Sequence, residues 1–193
     1  MSRQFPFLES QRLLLRGLSE EDVRGPYPAW LNDAETCRGN AHHVRPYDED
    51  EARSYVRAVR ADPTQLVLAI SRKSEGDHIG NIALQSIHPL NRRAELSILL
   101  GDTRVHGQGY GLEASRLLCD HGFKALNLQR IQCGTFAENH GMVALALALG
   151  MKEEGRRREA AWKDGRYVDI VEFGLLAREW SGSRVGTGDT VIG

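Results

Sequence analysis

Residues 94–114 read AELSILLGDTRVHGQGYGLEA. The stretch begins as an apolar strand and crosses a short polar turn. It passes glycines at 107, 109 and 111, then continues through Leu112, Glu113, Ala114, Leu117 and Leu118 with helical spacing. A strand, a glycine-rich turn and a helix start together make an anion site. Glycine lets a ligand come close to the main chain, and the first N–H groups of a helix have no partner inside it. The stretch predicts a phosphate-bearing ligand held by backbone.

The elements around it fall in a definite order. QRLLLR, residues 11–16, reads as the first strand. Ser19-Glu-Glu-Asp22 has the hydroxyl and acids of a helix start. Pro26 and Pro28 interrupt that helix, and a second short one is expected over 29–36. Asp48 with Glu51 forms a capping box for a helix reaching about Ala61. Strands are expected over 65–71, 79–87 (with Gly80 at a bulge), 93–100 and 130–136. Helices are expected over 109–126 and 139–149, the second stopped by Gly150. Residues 152–162 and 167–176 flank Asp164-Gly165, a strong hairpin turn. Residues 181–193 are rich in Gly, Ser and Thr and read as a mobile tail. No repeat or linker divides the chain, so one domain is expected over 1–180. A β-α-β-α unit after an antiparallel meander predicts an α/β (α+β) domain, with a mixed sheet and helices on both faces.

Bulk properties narrow the function. The net charge of −1 gives no field that draws the chain to nucleic acid or membrane. The apolar runs are too short to span a bilayer, and the N-terminal residues MSRQFPFLESQ lack the long apolar region expected of a signal peptide. Cys37, Cys119 and Cys133 are odd in number and form no CxxC pair, which argues against disulfides and a metal site and for buried, inert thiols. A reduced, cytoplasmic setting fits.

Three phosphate ligands compete for the turn. A P-loop needs Gly-Lys-Ser/Thr, which is absent. Gly109, Gly111 and Ala114 match a dinucleotide fingerprint, but the next strand, RIQCGTF, lacks the acid that would bind a ribose. The third ligand is coenzyme A. Here HGQGYGLEA resembles the (Arg/Gln)-x-x-Gly-x-Gly/Ala signature of the GNAT family of N-acetyltransferases, in the flavour of its ribosomal-protein N-terminal and polyamine subgroup. NRRAELSILLG resembles the preceding strand of that family. Asn139 followed by Leu149-Gly150-Met151 and Gly155, and Lys163-Asp-Gly-Arg-Tyr167 followed by Asp169, extend the likeness from Arg12 to Trp180.

The resemblance implies a GNAT fold: a mixed, mostly antiparallel sheet of seven strands with a central splayed parallel pair. It also implies acetyl-CoA as co-substrate. Ile98, Leu99 and Leu100 would pair with the pantetheine arm. His106, Gly107, Gln108, Gly109, Tyr110, Gly111 and Leu112 would surround the pyrophosphate, and Asn139 would touch the cofactor arm. A long amide chain adding to a strand, with its diphosphate at a helix N-terminus, is physically sound. Three positions depart from the pattern. His106 stands where Arg or Gln is usual and Met142 where Ser is frequent. Ala146 occupies the site of the tyrosine that serves polyamine acetyltransferases as general acid.

Acetyl transfer needs a neutral amine, so a base must take a proton. Glu95, in the splayed strand, is the first choice; the alternative is a structural ion pair with Arg92 or Arg93. The N–H of Leu100 is the expected oxyanion donor. His88 and His140 are secondary proton carriers, although ordinary loop histidines explain both. Tyr110 reads as packing on the turn and Glu113 as a dipole partner. Asp48–Glu51 reads as a helix cap more than a polyamine attractor, Arg156–Arg158 as a solvated hairpin face more than a contact for an acidic partner, and Trp30, Tyr47 and Trp162 as packing or pocket walls. The expected reaction is direct acetyl transfer to a primary amine of a small molecule or to a peptide N-terminus, with homodimerisation open. The competing readings are an acyl-CoA-binding module with weak catalysis and NAD(P)-linked redox chemistry.

Overall fold

The computed structural model describes residues 5–182. Among them the strands are β1 Leu8–Glu9, β2 Leu13–Gly17, β3 Leu66–Arg72, β4 His78–His88, β5 Arg93–Leu100, β6 Arg130–Phe136, β7 Lys152–Lys163 and β8 Arg166–Leu176. The helices are α1 Tyr27–Asn32, α2 Glu49–Ala61, α3 Tyr110–Lys124 and α4 His140–Ala148. All strands join one sheet in the order β1-β2-β3-β4-β5-β6-β8-β7. Neighbours are antiparallel except β5 and β6, which run parallel.

The sheet has eight strands among the described residues, one more than the seven expected. The addition is β1, two residues that pair Leu8 with Leu15 and Glu9 with Leu14. Two residues cannot display an alternating pattern, so nothing in the sequence marks them. The turn is made by the Ser10 hydroxyl, which accepts from the N–H of Leu13 at 3.0 Å.

The stretch after β2 also differs. Ser19 does not cap a helix, because its N–H and hydroxyl both donate to the Asp22 carboxylate. That carboxylate is buried against Arg16, and only a single 3-10 turn, Asp22–Arg24, forms. Pro26 and Pro28 then start α1 rather than interrupt a helix, since the first helical turn needs no N–H donors. It stops at Asn32 because Asp33 captures the N–H and hydroxyl of Thr36 in a local turn.

Two cores lie on opposite faces of the sheet. Leu13, Leu15, Ile82, Leu84, Leu96, Ile131 and Phe173 pack under α3 and α4. Leu18, Val23, Trp30, Leu31, Val56 and Ala69 pack under α1 and α2. α3 buries Ala114, Leu118 and Cys119 at helical spacing, and a fully buried leucine such as Leu118 contributes about 2 kcal/mol. Strand alternation places Ala94, Leu96, Ile98 and Leu100 on the α3 side, while Glu95, Ser97 and Leu99 face the other way. The closing hairpin has Asp164 at φ 48° and Gly165 at φ 81°, the two left-handed residues of a type I′ turn. The expected bulge near Gly80 lies where the register shifts between Ile70–Gly80 and Ser71–His78. The tail expected over 181–193 lies, from residue 183 on, outside the described residues.

Candidate active site

β5 and β6 pair over only three positions: Arg93 with Arg130, Ala94 with Ile131 and Glu95 with Gln132. Both strands run on, to Leu100 and Phe136, and the sheet opens between them. The opening holds a cavity of about 1240 Å³. Ile98 and Leu100 line one wall and Gly134, Thr135 and Phe136 the other. Met142 and Leu145 of α4 close it on the α3 side, and Glu95 sits where the strands part.

The ladder between β4 and β5 decides which backbone groups face this cavity. Leu100 is opposite Gly80, and the N–H of Gly101 donates to the carbonyl of Ile79 at 3.0 Å. Leu100 and Gly80 are therefore a non-hydrogen-bonded pair. The main-chain groups of Leu100 and Ile98 point away from β4 and into the opening. Those of Leu99 point at β4, and its side chain packs on the second core. Of the three residues expected to offer backbone, Ile98 and Leu100 do so and Leu99 does not.

The turn after β5 presents an uncapped helix start. Gly107 and Gly109 hold φ of 74° and 82°, a conformation that opposes any side chain. Gly109 is the N-cap and has no side chain to accept from the N–H groups that follow. At Gly111 a Cβ would meet Leu145 Cδ1 at 3.2 Å and Leu100 Cδ1 at 3.4 Å, so glycine lets α3 start close against the opening. The Nε2–H of His106 donates to the carbonyl of Leu100 at 2.9 Å, tying the turn to the end of β5. Gln108 is turned away, its side chain donating to the carbonyl of Arg104 at 2.8 Å. Tyr110 and Leu112 reach the cavity wall.

Arg12, which sequence reasoning passed over as a strand residue, braces the turn. Its guanidinium lies 4.4 Å from the centre of the Tyr110 ring, donates to the carbonyl of Gln108 at 3.1 Å and pairs with Glu113. Burial alone would raise the Glu113 carboxyl. Hydrogen bonds from the Ser10 hydroxyl and from Arg12 outweigh it and hold the pKa below the usual carboxylate range. Glu113 is thus an anchor for the β1–β2 turn on α3 more than a partner of the helix dipole. No local pattern reveals this, because the partners are about a hundred residues apart.

Glu95 forms no ion pair with any described residue. Arg92, one proposed structural partner, donates instead to the carbonyl and side chain of Asn127. Asn139 is the N-cap of α4: its Oδ1 accepts from the N–H of Met142 at 3.1 Å, and its Nδ2 donates to the carbonyl of Gly39 at 2.9 Å. It joins α4 to the loop after α1 at the cavity rim. Ala146 is fully buried in the first core. His140 lines the cavity, whereas His88 caps its own turn by accepting from the N–H of Asn91. Burial pushes the thiols of Cys119 and Cys133 up to about 12, so neither is a nucleophile at neutral pH.

An extended groove edged by strand backbone and ending at a bare helix N-terminus is the geometry expected of an acyl-CoA site, and known proteins agree. The acetyltransferase (GNAT) domain family model matches residues 12–152. The chain belongs to the GNAT acetyltransferase family. The N-acetyltransferase p20 of Bacillus licheniformis is 31% identical over 180 residues, covering 91% of this chain and 98% of its own. The putative ribosomal N-acetyltransferase YdaF of Bacillus subtilis is 30% identical over 110 residues, 57% of this chain and 60% of its own. Among solved structures, spermidine N-acetyltransferase from Vibrio cholerae in complex with CoA and spermine superimposes with a TM-score of 0.80 at 23% identity, covering 88% of this chain and 98% of that one. At that identity the likeness establishes the fold of this acetyltransferase. No helix among its described residues is long and apolar enough to cross a membrane.

Proposed function

We propose that this acetyltransferase binds acetyl-CoA along the open edge of β5 and transfers the acetyl group directly to a primary amine of a small molecule or a protein N-terminus. The observation that carries the reading is the three-residue pairing of β5 and β6, with the backbone of Ile98 and Leu100 aimed into the gap and the uncapped N–H groups of α3 at its end. These groups suit a ligand with two amides and a diphosphate. Acetyl-CoA would supply the acetyl group already activated as a thioester.

The rest is the work of the chain. Glu95 takes the proton that an ammonium must lose before it can attack, directly or through one water. It is free to do so because no cation among the described residues forms an ion pair with it. The N–H of Ile98 faces the gap on the Glu95 side of Leu100 and stabilises the negative charge that develops on the thioester oxygen; Leu100, expected in that role, lies about 6–7 Å further toward the α3 turn, beside the pantetheine arm. With Ala146 buried in the core, no hydroxyl from that position protonates the leaving thiolate, which takes its proton from water. The raised thiols of Cys119 and Cys133 favour direct transfer over an acetylated cysteine. Three buried, unpaired cysteines also suit a reducing, cytoplasmic setting.

The test is thiol release from acetyl-CoA, followed with DTNB, across a panel of amines. Release that depends on an amine, with the amine gaining one acetyl group, supports the reading. CoA binding without release on any amine would mean an acyl-CoA-binding module instead.

A further inference from the structure

The cavity has a second end, between the loop after α1 and the tip of the β7–β8 hairpin. The charged side chains of the whole cavity are Glu35, Arg38, Glu95, Glu138, Lys163, Asp164 and Arg166. Arg38 pairs with Glu35 and Arg166 with Glu138, so four of these charges cancel locally. Lys163 differs. Its side chain is only 15% exposed, and its ammonium donates to the carbonyl of Cys37 at 3.0 Å. The nearest carboxylate, Asp164, is 3.9 Å away and itself 75% exposed, too distant for a hydrogen bond and largely solvated. Two of the three ammonium donors therefore have no protein acceptor among the described residues.

A cation so enclosed is stable only with an opposite charge close by. The unpaired Glu95 is the obvious one, yet the two are more than 4.0 Å apart, since no ion pair joins them. One uncompensated carboxylate and one poorly compensated ammonium thus share a single cavity, both on the face of the sheet that carries α1 and α2.

We propose that Lys163 selects an acceptor that carries a carboxylate as well as its amine, as an amino acid or short peptide does. The proposal rests on the acetyl-transfer reading above. The amine sits at Glu95 and the carboxylate at Lys163, so one zwitterionic acceptor satisfies both residual charges. A single ammonium matches a monoanion; a phosphate would call for a guanidinium fork or several cations. A polyamine would set surplus positive charge against Lys163 and is disfavoured.

The experiment compares acceptors in matched pairs, each an amino acid or dipeptide and its C-terminal amide, with DTNB detection. The wild-type enzyme is expected to favour the acid by roughly 10- to 100-fold in kcat/KM, the range of a hydrogen-bonded charge contact. Lys163→Met should bring the acid-to-amide ratio close to one, chiefly through a raised KM for the acid, with CoA affinity kept. Lys163→Arg should keep a preference for the acid. A structural tether between the two walls would lower both acceptors together and leave their ratio intact. Equal use of acid and amide by the wild-type enzyme overturns the proposal while leaving acetyl transfer standing. CoA binding with no turnover of any amine overturns the acetyl-transfer reading, and this one with it.

Discussion

The glycine turn gives the sharpest quantitative prediction, because the same backbone strain occurs at a second position that serves as its control. Gly109 holds φ 82° and ψ 0° at the start of α3, and Gly150 holds φ 86° just after the end of α4. A Cβ at Gly109 would meet nothing nearer than Arg12 Nη2 at 3.5 Å, and at Gly150 nothing within 4 Å. Alanine at either site therefore costs backbone strain and no clash, about 1–2 kcal/mol. For a chain of this length that is a fall in Tm of roughly 2–8 °C. The functional outcomes should diverge. Relaxing the strain at position 109 rotates the N–H groups of Tyr110, Gly111 and Leu112 off the proposed diphosphate. Losing one charge-assisted hydrogen bond of about 1.5–3 kcal/mol weakens CoA roughly 10- to 150-fold. Differential scanning fluorimetry reads the first quantity and isothermal titration calorimetry with CoA the second. Gly109→Ala should lose both stability and affinity, and Gly150→Ala stability alone. If both variants lose the same stability and both bind CoA as the wild type does, the turn does not hold the phosphates.

Three further outcomes are expected. Glu95→Gln should lower kcat about 100-fold or more with CoA affinity unchanged, because it removes a base and keeps the shape; unaltered turnover would make Glu95 structural. Arg12→Ala should weaken CoA several-fold through a loosened turn, with a stability change of about 1 kcal/mol or less, since the Arg12–Glu113 pair is partly exposed. His78 is enclosed beside Trp30 and Asp22, and burial, only partly offset by the Asp22 charge, holds its pKa below the ordinary 6.5. With the folded pKa depressed, the unfolded chain binds more protons below about pH 6.5. Stability present above that pH should drain away as the pH falls toward 5. Urea titrations of wild type and His78→Asn at pH 7.5 and 5.5 check this: the wild type should lose more than the variant, and equal losses would remove His78 as the cause.

Much of this was legible in the sequence, for reasons that differ residue by residue. The segment 94–114 displays its strand, turn and helix because apolar spacing and glycine position are local signals. The I′ hairpin at Asp164-Gly165 and the capping box at Asp48 are local too. The splay of β5 from β6 came only through resemblance, since it depends on where two distant strands stop pairing. The difference between Leu99 and its neighbours was hidden because the parity of a ladder is set by its partner, here Gly80 and Ile79 of β4. Arg12, Glu113 and Lys163 look like ordinary surface charges until the fold brings each to a partner far along the chain. The strand β1 escaped because two residues carry no period.

A structure of this acetyltransferase with CoA bound tests the central claim most directly. The pantetheine amides should lie against the main-chain groups of Ile98 and Leu100, with the diphosphate at the N–H groups of Tyr110, Gly111 and Leu112 and the thiol directed toward Glu95. A CoA molecule seated elsewhere, with the β5–β6 opening unchanged, would contradict it.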